Sequence, residues 1–258
     1  MQIGPITYLI VCPLVLLAGF VDAVAGGGGI ISLTAYLIAG IPAKLAAGTN
    51  KLASGFGTSL ASYRYARSGN IDWHAAIPAA IFALLGSAAG ASFAVYLPES
   101  VLQIIMLAAL PIVAVILFFV KSGDGEDRPP LPNRTVEFRA ALIGLAIGCY
   151  DGLVGPGTGT FLTLAFSLFI GFPLLRSAGC ARIVNLASNI AALIVYLMHG
   201  DVLFALGIPA AACSMLGNYL GSRYAINGGS SKIRLVMFFV LGLLFVRFAL
   251  KLAGVFDF

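Results

Sequence analysis

Two cations stand in stretches of sequence otherwise suited to apolar surroundings: Lys51 within GTNKLASGFGT and Arg182 within CARIVNLASNIAAL. Each lies nine residues past a proline, Pro42 or Pro173, which at about 1.5 Å per helical residue is roughly 14 Å of depth. Charges that deep in a membrane are costly and mark a path for substrate or ions. A pair of carboxylates, Asp22 and Asp151, precedes two glycine clusters, AVAGGGGI over 23–30 and LVGPGTGT over 153–160, each by four residues. Four glycines, or Gly-Pro-Gly-Thr-Gly, sustain a helix poorly. A helix broken there offers unpaired amide N–H groups and the positive end of its dipole to an anion. Two cations facing such breaks would hold a small oxyanion, Arg182 through a planar fork and Lys51 as a compact point charge. The competing reading is that each cation is only paired with a carboxylate or snorkels outward.

Polar residues unusual in apolar helices cluster around both cations: Thr49, Asn50 and Ser54 in one stretch, Asn185, Ser188 and Asn189 in the other. Asn185 and Asn189 are four apart and share a helix face with Arg182. Asparagine amides donate to oxyanions, and they also tie helices together across an interface. With Gly27, Gly28, Gly157 and Thr158 from the breaks, these residues make the candidate substrate contacts. Asp22 and Asp151 either couple proton movement to that of the substrate or hold the two cations in place.

The elements that must position these residues are membrane helices. Of 258 residues, 60% are hydrophobic and 10% charged, and the mean hydropathy is +1.02, more apolar surface than a soluble domain of this length can hide. Eight stretches approach or exceed the roughly 20 residues that cross a bilayer core: 5–40, 42–66, 72–96, 98–120, 138–171, 173–198, 201–225 and 232–254. The first lacks a basic leader and a small-residue cleavage pattern, so it is expected to be a retained membrane segment. Trp73, Tyr63 and Tyr65, near span ends, are expected to be interfacial anchors.

The polar stretch KSGDGEDRPPLPNRTVEFR divides the chain nearly in half. Residues 1–120 are expected to form a first transmembrane repeat, 121–137 a cytoplasmic linker and 138–258 a second repeat. Residues 40–94 align with 171–225 without a gap at an offset of 131, pairing Pro42 with Pro173, Tyr65 with Tyr196 and Pro78 with Pro209. Upstream the offset is 129, pairing Gly19 with Gly148, Asp22 with Asp151, Gly26 with Gly155 and Gly28 with Gly157. Such duplication is characteristic of secondary transporters, whose substrate sits where the repeats meet. The scattered Gly86, Gly90, Gly217 and Gly221 read as close-packing positions.

Lysine and arginine accumulate in cytoplasmic loops, and their positions decide between two topologies. Eight full crossings divide them indecisively. If the first segment of each half enters and returns as a hairpin, Arg64, Arg67, Lys121, Arg128, Arg134, Arg139, Arg176, Arg223, Lys232 and Arg234 share one side, with Lys44 and Lys251 opposite. The expected fold class is therefore an all-α polytopic membrane protein of two inverted four-segment repeats, each a Gly-broken hairpin followed by three spanning helices.

Other chemistry finds little support. Neither glycine cluster follows a soluble strand and no G-x-x-x-x-G-K-[ST] is present, against nucleotide binding. Two histidines, with no Ser-His-Asp or H-E-x-x-H spacing, argue against an enzyme. His74 and His199 read as loop residues, and Cys12, Cys149, Cys180 and Cys213 as buried free thiols. No cofactor or metal is expected. The net charge of +5 follows topology rather than nucleic acid. The partners expected are a small anionic substrate and membrane lipids, with a homo-oligomer left open.

The doubled pattern GFVDAVAGGGGI with GTNKLASGFGT, and CYDGLVGPGTGTF with CARIVNLASNIAAL, resembles the sulfite exporter TauE/SafE family of membrane transporters over essentially the whole chain. The resemblance implies transport of sulfur-containing anions, such as sulfite and small organosulfonates including sulfoacetate, mostly outward across the cytoplasmic membrane. An anion channel and a carrier for a non-sulfur organic anion are the alternatives. The halves differ where Asn50 faces Ala181, Lys51 faces Arg182 and Gly27 faces Pro156, and no residue selects sulfite over a sulfonate or a carboxylate.

Overall fold

The computed structural model describes residues 4–102, 104–105 and 131–252, with side chains as far as residue 239. Among the described residues every regular element is helical. The first half opens with α1 (Pro5–Ala25), stops at left-handed Gly26 (φ 86°) and resumes as α2 (Gly28–Ile38). α3 (Ala43–Arg67) and α4 (Trp73–Tyr96) follow. In the second half α5 (Asn133–Leu153) gives way to left-handed Gly155 and Gly157 (φ 88° and 80°). The chain resumes as α6 (Thr158–Ala165), which continues through a π-helical turn at Phe166–Ile170. α7 (Leu174–Met198) and α8 (Phe204–Leu252), kinked at Gly229, complete the fold.

Both expected breaks therefore occur at the glycine clusters, where φ values of +80° to +88° are open to glycine and strained for other residues. Left-handed glycines recur at matched positions of the halves: Gly26 and Gly155, Gly40 and Gly171, Gly69 and Gly200. Pro42 and Pro173 occupy matching N-cap positions of α3 and α7. Helices α1, α4, α7 and the part of α8 up to Phe239 are long and apolar enough to cross a membrane. Phe93, Phe138, Leu142, Ile194, Ile208 and Phe238 lie exposed on the outside, as lipid-facing side chains do. The chain is a polytopic helical membrane protein.

Packing is reciprocal between the halves. Gly86 of α4 abuts the Leu145 carbonyl of α5, and its counterpart Gly217 of α8 abuts the Leu16 carbonyl of α1; a Cβ would lie 2.3 and 2.0 Å from those oxygens. Gly90 meets the Cys149 carbonyl as Gly221 meets that of Phe20. These glycines let backbones approach closely, as expected of them, in a solvent that gives little hydrophobic drive for helix association. α4 of the first half and α8 of the second thus each pack against the first hairpin arm of the other half. Along α4 and α5 the contacts advance together, Ala79 with Gly144, Ala83 with Gly148 and Ser87 with Gly152, so the two run parallel. α1 and α8 are parallel by the same test, through Leu16 with Gly217 and Phe20 with Gly221. α3 and α7 run antiparallel: Gly48 meets Tyr196 near one end, and Asn70, just past α3, meets Gly179 near the other.

Several expectations need correction. Tyr65 is no interfacial anchor: it is fully buried, and its hydroxyl donates to the Ala23 carbonyl at 3.1 Å. Tyr63 and Trp73 are exposed near the ends of their helices. All four cysteines are free, but only Cys180 is buried and Cys149 is exposed. α5 starts at Asn133, inside the stretch read as linker, because Pro132 at its N-cap leads straight into helix-compatible residues. The segments expected at 201–225 and 232–254 correspond to two helices within α8, which meet at the non-helical Gly229 (φ 65°, ψ −163°). Most of the 98–120 span and residues 121–130 of the linker lie outside the described residues.

If the glycine contacts hold the halves together, Gly86→Leu should lower the unfolding temperature in detergent by the equivalent of about 1–3 kcal/mol or more, the usual cost of overpacking. Gly55→Ala, at a helical position where an added methyl group would have no neighbour within 4 Å, should leave it unchanged or raise it slightly.

Candidate functional site

The two hairpins meet inside the bundle and are fastened tip to tip. The Thr160 N–H donates to the Gly26 carbonyl (3.2 Å), and the Thr160 hydroxyl donates to the Ala25 carbonyl (2.8 Å). Tyr65 closes the end of α1 from the other side through Ala23. Eight residues separate Lys51 from the start of α3 and Arg182 from the start of α7, about 12 Å along each helix. Both cations are buried within the bundle.

Each is paired with the carboxylate of the other half. Lys51 Nζ lies 2.7 Å from Asp151 Oδ2. Arg182 Nη1 lies 2.9 Å from Asp22 Oδ2 and donates also to the Asp22 carbonyl at 2.6 Å. Positions 51 and 182 are repeat counterparts, as are 22 and 151, so one contact occurs twice.

The surroundings of the two pairs differ. Asp151 accepts from Thr158 Oγ1 at 2.7 Å and from Ser188 Oγ in addition to Lys51. The counterparts of Thr158 and Ser188 are Gly29 and Gly57, so Asp22 has no matching hydroxyls. Its described side-chain donor is Arg182, and its side chain is 14% exposed against 3% for Asp151. Both border one space, Asp151 with its oxygens largely taken up and Asp22 with more of its side chain open to it.

That space is a small cavity lined by both aspartates, Lys51, Asn50, Ser54, Thr158, Asn185 and Asn189, with Gly26, Gly29, Gly155 and Gly159 supplying bare backbone. Arg182 sits behind its wall. A Cβ at Gly159 would lie 2.4 Å from Arg182 Nη2 and 2.6 Å from the Gly26 Cα, so glycine there makes room for both the guanidinium and the opposing tip. Arg182 is 0% exposed, yet its Nε and Nη2 have no hydrogen-bond partner. Those two atoms form the edge that grips an oxyanion bidentately. Asn189 Nδ2 lies 3.4 Å from Asn185 Oδ1, and Ser54 Oγ lies 3.5 Å from Asn50 Oδ1.

Of the residues singled out from sequence, Lys51, Asn50, Thr158, Asn185, Asn189, Asp22 and Asp151 come together on this cavity. Thr49 does not: its hydroxyl accepts from the Leu203 N–H at 3.0 Å, at the approach to α8. Gly27 is the N-cap of α2 and Gly157 that of α6, and neither lines the cavity. Gly28 packs against Ala18 and Asp22, where a Cβ would stand 2.1 Å from the Ala18 carbonyl oxygen. The glycines that do line the cavity are neighbours of those named, and the Gly26–Gly155 match was the available signal. Nothing local in the sequence distinguished which glycine of each cluster faces inward.

The model of the sulfite exporter TauE/SafE family matches residues 11–248. The "Probable membrane transporter protein ORF9" of a Sinorhizobium species is 37% identical over 232 residues, covering 90% of this chain and 88% of that protein. A "Probable membrane transporter protein" of Haemophilus influenzae is 36% identical over 84% of both chains. The "Probable membrane transporter protein YfcA" of Escherichia coli is 32% identical over 90% of this chain and 86% of its own length. No solved structure matches this chain.

Leaving one member of a buried ion pair without its partner costs roughly 3–5 kcal/mol. Asp151→Ala should therefore lower stability in detergent by about that amount, whereas the double variant Lys51→Leu/Asp151→Leu should recover most of the loss. Chemical denaturation of the two variants beside the parent checks this.

Proposed function

The chain belongs to the sulfite exporter TauE/SafE family of membrane transporters, and from that premise we propose that it is an alternating-access exporter of a small sulfur-containing anion, sulfite or an organosulfonate of sulfoacetate type. The observation that carries this reading is the unpaired Nε/Nη2 edge of Arg182, fully buried behind Gly159 in the wall of a cavity that presents Lys51 and the amides of Asn50, Asn185 and Asn189. Unsatisfied buried donors cost free energy, and a bound oxyanion would satisfy them. The four charges of the two cross-half pairs cancel, so the anion enters a preorganised site rather than a strongly positive one, which favours release as well as capture.

The same proposal includes inverted repeats in the cytoplasmic membrane. Its support is directional. α1 runs with α8, α5 runs with α4, and α3 opposes its counterpart α7. Hairpins entering from opposite faces would account for these directions. The end of α3 and the starts of α5 and α7 then share the face bearing Arg64, Arg67, Arg134, Arg139 and Arg176, while Lys44 is on the other. By the positive-inside rule the arginine face is cytoplasmic. Rocking one half against the other about the joined tips would expose the cavity to each side in turn. Asp22, the less saturated carboxylate, is the coupling residue in this scheme, and Asp151 anchors Lys51.

Proteoliposomes containing the parent should show saturable efflux and counterflow of sulfite or sulfoacetate. Lys51→Ala should abolish both. Arg182→Lys, which keeps the charge but loses the bidentate edge, should raise the half-saturating anion concentration about tenfold or more, the equivalent of one lost charged hydrogen bond. Parent rates in both variants would sink the proposed site. Flux without saturation or counterflow would indicate a channel.

A further inference from the structure

Asp22 borders a second, smaller cavity between α1, α2, α3 and α8, which shares Gly29 and Ser54 with the first. Its polar wall consists of Asp22, Ser32, Ser54, Ser214 and Asn218, and no lysine, arginine or histidine lines it.

The hydrogens of these groups are largely committed elsewhere. The Ser32 hydroxyl donates to the carbonyls of Gly28 (3.3 Å) or Gly29 (3.4 Å), and Ser54 donates toward Asn50 Oδ1. Asn218 Nδ2 donates to the Ser214 carbonyl at 2.9 Å and lies 3.4 Å from Ser214 Oγ. What remains for the cavity is oxygen lone pairs. Asn218 is 1% exposed, and its Oδ1 receives no donor. A buried acceptor left in that state needs a partner.

Three classes of occupant can be compared. An anion would meet the Asp22 carboxylate with no cation on the wall. A proton on Asp22 requires one acceptor and leaves the other oxygens without a role. A small hard cation uses all of them, and with Arg182 already paired to this one carboxylate a single positive charge suits the set better than doubly charged Ca²⁺, whose sites are carboxylate-rich. We propose that this cavity is a sodium site, with the Asp22 carboxylate, the hydroxyl oxygens of Ser32, Ser54 and Ser214, and Asn218 Oδ1 as ligands. It supplies the coupling ion for the anion carrier proposed above and rests on that reading for its role in transport.

The second half has no equivalent. The counterparts of Ser32, Ser214 and Asn218 are Phe161, Ala83 and Ser87, and Asp151 is enclosed by Lys51, Thr158 and Ser188. Coupling to the anion runs through Asp22, which also holds Arg182. Sodium on Asp22 weakens its hold on the guanidinium and offsets the negative charge that the anion adds to a neutral site. Each ligand therefore raises the affinity for the other, by the same factor.

Two measurements test the proposal. In detergent at constant pH and ionic strength, replacing choline chloride with NaCl should raise the parent's unfolding temperature. In Ser32→Ala and Asn218→Ala the half-effective Na⁺ concentration should rise about tenfold, the consequence of losing one ligand oxygen. In proteoliposomes a Na⁺ gradient should accelerate sulfite or sulfoacetate flux, with the variants needing correspondingly more Na⁺. Equal stabilisation of the parent by NaCl and choline chloride would overturn the sodium site. So would transport driven by a pH gradient in the absence of Na⁺, or variants that change the anion's half-saturation at saturating Na⁺ but not the Na⁺ response. The thermal measurement needs no transport, so its failure is distinct from failure of the carrier reading, which counterflow decides.

Discussion

A guanidinium and an ammonium held within a membrane bundle each require a counter-ion, and in this chain each finds it on the opposite half. Lys51 reaches Asp151 and Arg182 reaches Asp22, because at low dielectric an unpartnered charge is far costlier than the constraint needed to pair it. Much of the architecture follows from that requirement. The carboxylates must be carried deep into the bundle on an arm that then turns back, which requires a helix break. The break must be covered by protein, because unpaired backbone is not tolerated against lipid. Each half covers the break of the other, and the halves form one site.

Glycine serves two separate ends in meeting this constraint. At Gly26, Gly155 and Gly157 it permits left-handed backbone where the arms turn. At Gly86, Gly90, Gly217 and Gly221 the backbone is ordinary helix, and the missing side chain lets a neighbouring carbonyl approach. The second use replaces the hydrophobic drive that lipid cannot provide between helices. Gly159 belongs to both, since it leaves room for the opposing tip and for the Arg182 guanidinium.

Duplication made the two pairs equivalent, and substitution has since made them different. Thr158 and Ser188 complete the coordination of Asp151, whereas Gly29 and Gly57 leave Asp22 beside open space. One carboxylate is thereby suited to hold a fixed geometry and the other to exchange partners. A carrier needs both, a stable pivot and a group whose interactions change between states. The proposed anion and sodium sites share Asp22, which places their coupling at a single side chain.

The sequence alone determined that the chain is a helical membrane protein, that it is duplicated, and where the helices break. Those properties follow from hydropathy, from matched prolines, glycines and charges at constant offsets, and from the conformational limits of Gly-rich segments. It also singled out Lys51, Arg182, Asp22 and Asp151, because charge in an apolar segment is conspicuous. Only the tertiary structure decided which carboxylate meets which cation, that Thr49 faces Leu203 rather than the cavity, and that Tyr65 is a buried latch rather than an interfacial anchor. Ser32, Ser214 and Asn218 gave no local signal, since a lone hydroxyl or amide in a helix commonly bonds its own backbone. Their convergence depends on how α1, α2, α3 and α8 cross, and crossing is set by contacts between residues distant in the chain.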